Sequence, residues 1–159
     1  MTYPTVASIH ISSKCNLKCP YCYVKSTVTK PRAFWLKLVD VLFDIGIQQV
    51  AIGGGEPFLH PTFLKQLCNR CKECGIVVSI TTNGTLITED RLTGLNADMI
   101  SVSIDGYKMN NTPNNYADIL KTIKSHGILT GVNYLILMLM HGLRKIMYRR
   151  YIVRKRLVR

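Results

Sequence analysis

Cys15, Cys19 and Cys22 lie within eight residues at C-x3-C-x2-C spacing. Thiolates are soft ligands that favour iron–sulfur clusters or zinc. Three of them can hold three corners of a [4Fe–4S] cube and leave the fourth iron open. A structural zinc site takes four ligands, and no fourth Cys or His follows at finger spacing. The triplet therefore points to an iron–sulfur loop rather than to three unrelated thiols.

Such a loop needs elements to hold it. Short apolar runs at Val6–Ile11, Val50–Ile52, Ile76–Ile80, Met99–Ile104 and Val132–Leu137 read as strands. Helix-like segments separate them, near 31–45, 61–74, 87–95 and 113–126. Pro61 suits a first helical turn, and Gly75 and Gly127 suit helix ends. This alternation predicts an α/β fold with a parallel sheet. Its apolar strands predict helices on both faces of that sheet. A polar or glycine-rich cluster ends each of the first four strands: the cysteine loop, Gly53-Gly54-Gly55-Glu56-Pro57, Thr82-Asn83-Gly84 and Ser103-Ile104-Asp105-Gly106. Parallel α/β sheets and barrels bind ligands at that edge, so the four clusters describe one site.

The segment CNLKCPYC resembles the cluster loop of radical S-adenosylmethionine (radical SAM) enzymes, with Tyr21 at the aromatic position. Gly54-Gly55-Glu56-Pro57 resembles that family's GGEP motif, and the third and fourth clusters resemble its next two strand signatures. The resemblance runs from about residue 6 to about residue 137. It implies a partial (βα)6 barrel with about five parallel strands, open and incomplete at its C-terminal end, and a core domain of residues 1–137. The fifth helix, sixth strand and final helix of the family are not legible, which gives the appearance of a core truncated at its C-terminus.

The resemblance also implies chemistry. Cys15, Cys19 and Cys22 would hold the [4Fe–4S] cluster. Its open iron would bind the methionine end of SAM. Reductive cleavage of SAM to a 5′-deoxyadenosyl radical would then abstract hydrogen from a substrate that the sequence does not name, in peptide modification or cofactor maturation. Gly54 and Gly55 would let backbone approach the methionine end. Glu56 would accept from its ammonium group. Asn83 and Ser103 would bond its carboxylate or ribose, Asp105 would do the same or only shape its turn, and Tyr21 would pack beside the cluster or adenine. No residue beyond the cluster ligands is assigned a catalytic role. A flavodoxin- or ferredoxin-type protein would supply the electron. A second copy or another chain is expected to cover the open barrel edge.

Cys68, Cys71 and Cys74 form a second triplet inside a helix-like segment. Cys68 and Cys74 would diverge by about 120° around a helix. Leu64, Leu67 and Cys71 share an apolar stripe, so these thiols read as core residues. His10 reads as a polar residue near the site, and Trp35 as core.

Of 159 residues, 47% are hydrophobic and 19% charged, which excludes disorder as the main state. The net charge of +12 divides into +4 over residues 1–140 and +8 over residues 141–159, where no acid occurs. The basicity therefore belongs to a tail, residues 138–159, for which a helix is one expected form. Three readings of it compete: a basic segment for nucleic acid or anionic membrane, a membrane span built on Gly127–Leu143, or the altered end of a truncated protein, which the abrupt change of composition favours. Residues 1–6 carry no signal-peptide pattern, and with clustered cysteines this predicts a cytoplasmic, reducing setting. Two other functions remain open: a cluster-binding fragment without turnover, and an adaptor that works through the basic tail.

Overall fold

The computed structural model describes residues 4–24, 30–110, 115–140 and 143–152. Five strands lie side by side in chain order and run parallel: β1 (Val6–His10), β2 (Gln49–Gly53), β3 (Val77–Thr82), β4 (Met99–Ile104) and β5 (Leu129–Met140). A doubly wound sheet reverses its strand order at a switch point, whereas a barrel does not. The unreversed order is thus barrel-like. Among the described residues no ladder joins the first strand to the last, so the barrel is open.

Helices α1 (Arg32–Asp44), α2 (Pro61–Glu73), α3 (Glu89–Leu92), α4 (Gly106–Asn110) and α5 (Tyr116–Ser125) lie in the connections between strands. Local sequence explains their ends. Pro61 occupies the first turn of α2, where a missing N–H costs nothing, and Arg70 and Lys72 complement the dipole in its last turn. Gly75 follows at φ +69°, a conformation that ends helices. The Asn115 side chain accepts the Ala117 N–H at 2.9 Å and caps α5. The start predicted for that helix, residues 113–114, lies outside the described residues. The helix predicted over 87–95 contracts to the single turn of α3, and neither α4 nor the 3₁₀ turn at Pro57–Leu59 is foreseen.

The strands alternate rather than running apolar on both faces. Ile9, Val50, Ile52, Val78, Ile80, Ile100 and Val102 are buried in one core with Val39 and Leu42 of α1, Leu64 and Leu67 of α2, and Ile119 and Ile123 of α5. The intervening positions are small or polar: Ser8, Ala51, Ser79, Thr81, Ser101 and Ser103. The expectation of helices over both faces is corrected accordingly. The second face lines the inside of the barrel, where space is short and ligands need polar partners.

The basic segment is not helical where it is described. Leu143–Ile152 forms a sixth strand, β6, antiparallel to β5, with Asn133 opposite Arg150. No helix among the described residues is long and apolar enough to cross a membrane. Residues 153–159 of the expected tail lie outside the described residues.

Candidate functional site

The loop after β1 is fastened to the turn after β2 by backbone bonds. Gly55 N–H donates to Ser12 O at 2.7 Å, and Glu56 N–H to Lys14 O at 2.8 Å. A Cβ on Gly54 would overlap the Ser12 carbonyl oxygen, and one on Gly55 the Lys14 carbonyl oxygen. Gly54 also sits at φ +129°. The glycines thus admit the neighbouring loop's own backbone.

Glu56 is fully buried. Its Oε1 accepts from Phe58 N–H at 3.0 Å and from the Thr82 hydroxyl at 2.8 Å, and its Oε2 from Asn83 N–H at 2.8 Å. Burial pushes its pKa up, and these bonds offset that only in part. The carboxylate braces the turn against the end of β3. In this structure both carboxylate oxygens are engaged by these internal bonds.

Asn83 reaches the cysteine loop. Its Nδ2 donates to Asn16 Oδ1 at 3.0 Å and faces Cys15 Sγ at 3.7 Å. Its Oδ1 accepts from the backbone and hydroxyl of Thr85, while Asn16 donates to the Thr85 hydroxyl at 2.7 Å. Burial raises the Cys15 thiol pKa, while the Leu17 N–H at 3.4 Å and the Asn83 amide pull it down.

On the far side, β4 ends at Asp105. Asp105 is buried and forms an ion pair with Lys108 of α4. Lys108 Nζ also donates to the Tyr21 hydroxyl at 3.3 Å and lies 5.2 Å from that ring's centre. Burial alone would raise the Asp105 pKa, but bonds from Lys108 and Tyr21 hold it below the ordinary carboxylate range. Burial and the adjacent Asp105 push the Tyr21 phenol up.

A cavity of about 410 Å³ opens between these loops. Nine of the ten residues singled out from the sequence line it: Cys15, Cys19, Cys22, Tyr21, Gly54, Gly55, Asn83, Ser103 and Asp105. Glu56 stands behind its wall. Lys108 and Asn133 line it too and were not anticipated. Spacing three residues after a strand-end Asp was the available signal for Lys108. For Asn133 the signal was its place on β5 two residues after a glycine, the inward period. His10 lines the cavity as anticipated, its ring centre 6.0 Å from that of Tyr23.

The second triplet behaves as core. Cys68 and Cys71 are buried, and burial raises their thiol pKa values to about 12 and about 11. Among the described residues no three His, Cys, Asp or Glu side chains close around a point as ligands of one ion would.

A family model described as the Radical SAM superfamily matches residues 9–147. The chain belongs to the radical SAM superfamily. An S-adenosylmethionine-dependent nucleotide dehydratase of Thermoplasmatales archaeon (strain ISO4-H5) is 39% identical over 62% of this chain and 37% of its own. The antilisterial bacteriocin subtilosin biosynthesis protein AlbA of Bacillus subtilis is 30% identical over 81% of this chain and 32% of its own. The crystal structure of Streptococcus suis SuiB bound to S-adenosylmethionine matches 87% of this chain and 34% of that one, at 25% identity and a TM-score of 0.69. The chain thus spans about a third of the length of these radical SAM relatives.

Proposed function

We propose that this chain holds a [4Fe–4S] cluster on Cys15, Cys19 and Cys22 and carries out the radical SAM reaction, reductive cleavage of SAM followed by hydrogen abstraction from a substrate. The observation that carries this reading is the convergence of nine predicted residues from four strand ends on one cavity. The donor set suits a cube: three soft thiols on one loop, none in a disulfide, supply one thiolate for each of three irons. The cavity suits SAM as well. Asn133 is buried and lines it, and its Oδ1 has no hydrogen-bond partner. Buried polar atoms are rarely left unpaired, so a ligand donor is the natural complement.

When bound, the cluster supplies the electron and SAM the radical chemistry. The protein's residues orient both. Gly54 and Gly55 let the cluster loop seat against β2, Asn83 bonds that loop from β3, and Asp105 with Lys108 holds Tyr21 from the β4 side. Ser103 and Asn133, adjacent in register on β4 and β5, offer hydrogen bonds to SAM. A flavodoxin- or ferredoxin-type donor brings the electron. The two relatives named above are called after a nucleotide and a bacteriocin, so those two substrate classes come first in a search. A second reading, cluster binding without turnover, draws on the open barrel, in which no ladder joins the first strand to the last among the described residues.

The deciding experiment is anaerobic reconstitution with iron and sulfide, then SAM and dithionite, with 5′-deoxyadenosine measured. The Cys15→Ala, Cys19→Ala, Cys22→Ala triple variant is the control. Product from the wild type alone supports turnover. A cluster without product supports the second reading, and absence of a cluster overturns both.

A further inference from the structure

We propose that the Asp105–Lys108 pair tunes the reduction of the metal centre on the cysteine loop, Lys108 favouring the reduced state and Asp105 opposing it. This rests on the reading of Cys15, Cys19 and Cys22 as cluster ligands. Lys108 is the one Lys or Arg among the described residues lining the cavity. It is 9% exposed. Two elements hold its ammonium there: Asp105 at the end of β4, and the hydroxyl and ring of Tyr21, which lies between Cys19 and Cys22. Lys14 and Lys18 stand on the same loop but are exposed, where water screens their charge. A buried charge acts through a lower effective dielectric and is felt more strongly.

Reduction makes and breaks no bond. An external one-electron reductant gives one electron, and the centre becomes more negative by one charge. A buried cation beside the loop stabilises that gain, and a buried anion opposes it. The two halves of the pair should therefore shift the midpoint potential in opposite directions. A purely structural role would not produce that result, because removing either partner breaks the same ion pair and loosens the same loop.

The test uses the full chain, reconstituted anaerobically, with iron and sulfide content measured first. A mediated dithionite titration followed by electron paramagnetic resonance then gives the midpoint potential of wild type, Lys108→Met, Lys108→Arg and Asp105→Asn. The expected result is a more negative potential for Lys108→Met, a less negative one for Asp105→Asn, and a near wild-type value for Lys108→Arg. Equal iron content with unchanged potentials, or shifts of the same sign in Lys108→Met and Asp105→Asn, overturns the proposal while leaving the cluster reading intact. Should Lys108→Met take up no iron, Asp105→Asn decides alone: a less negative potential supports the proposal, and no change or a more negative one overturns it. A wild-type chain that binds no iron overturns the cluster reading and this proposal with it.

Discussion

The Glu56 carboxylate accepts the Asn83 backbone N–H at 2.8 Å and so fastens the turn after β2 to the end of β3. Asn83 in turn bonds Asn16 of the cysteine loop. One buried acid therefore stands behind three of the four strand-end clusters without touching the cavity they enclose. Its bonds set the spacing of the residues that line the site.

Glu56→Gln should expose this role. The carboxylate accepts three hydrogen bonds, and an amide presents an NH2 group where one oxygen had accepted. Leaving a buried donor unmet costs about 1–3 kcal/mol, so the variant should unfold at lower urea at neutral pH. Burial raises the Glu56 pKa above its ordinary 4.5. Above that value the folded chain binds a proton that the unfolded chain has lost. The contribution of Glu56 is therefore fully present below the ordinary pKa and is lost as pH rises through the raised one. Wild-type stability should decline as pH rises above the ordinary 4.5, and the variant should lack that decline. Urea unfolding across that window, with equal slopes for the two proteins, would remove the brace from the account.

Gly54→Ala and Gly55→Ala should each destabilise the loop seating. Either Cβ meets a backbone carbonyl of the opposing loop, at Ser12 or Lys14, and neither carbonyl belongs to a flexible side chain that could swing aside. Gly54 adds the strain of φ +129°. A loss above about 1 kcal/mol is expected, with reduced iron uptake on reconstitution. Gly46→Ala is the contrast: its φ is also positive, but its Cβ would meet nothing within 4 Å. It should cost stability and leave iron uptake unchanged.

Much of the frame was legible because local chemistry and tertiary packing agree. Pro61, Gly75 and Gly127 mark helix ends that the structure keeps. The five parallel strands coincide with apolar runs, since Ile9, Val50, Ile80 and Ile100 must face the helices. What the apolar runs concealed is the second periodicity. Ser103 reads as a site residue from its cluster, but that it and Ser101 share the inner face with Asn133 emerges only from the register. Lys108 stands three residues after Asp105, but its other partner, Tyr21, is 87 residues away and is brought to it only by the fold. The bonds that brace Glu56 were hidden for a similar reason, as its three donors come from backbone and a hydroxyl whose approach no sequence period reveals. The strand at Leu143–Ile152 was hidden by composition, because a run of basic residues says more about charge than about pairing.

The two cysteine triplets should separate in one alkylation experiment. Burial holds the Cys68 and Cys71 thiols at about 12 and about 11, so little thiolate forms at pH 8. Native protein without iron, treated with iodoacetamide at that pH, should be labelled at the exposed Cys22 and spared at Cys68 and Cys71. Iron loading should then protect Cys22. Cys68→Ala should keep its iron and lose about 1–2 kcal/mol of stability as a core truncation. Labelling of Cys68 as fast as Cys22 would contradict the packing of α2.

Asn133 offers the sharpest test of what the cavity holds. Its side chain is buried, yet Oδ1 has no partner within the protein. Removing an unpaired polar atom forfeits no internal hydrogen bond, so Asn133→Ala should change stability by less than about 1 kcal/mol. The bond to a ligand is what would be lost. One hydrogen bond is worth about 0.5–1.5 kcal/mol, so SAM should bind the reconstituted variant roughly 2–10-fold more weakly by calorimetry. Ile100→Ala is the counterpart, deleting a fully buried core side chain from β4. It should cost about 2–5 kcal/mol of stability. If Asn133→Ala instead lowers the melting temperature as Ile100→Ala does while SAM affinity stays at the wild-type value, the residue is structural and the cavity's ligand contacts lie elsewhere.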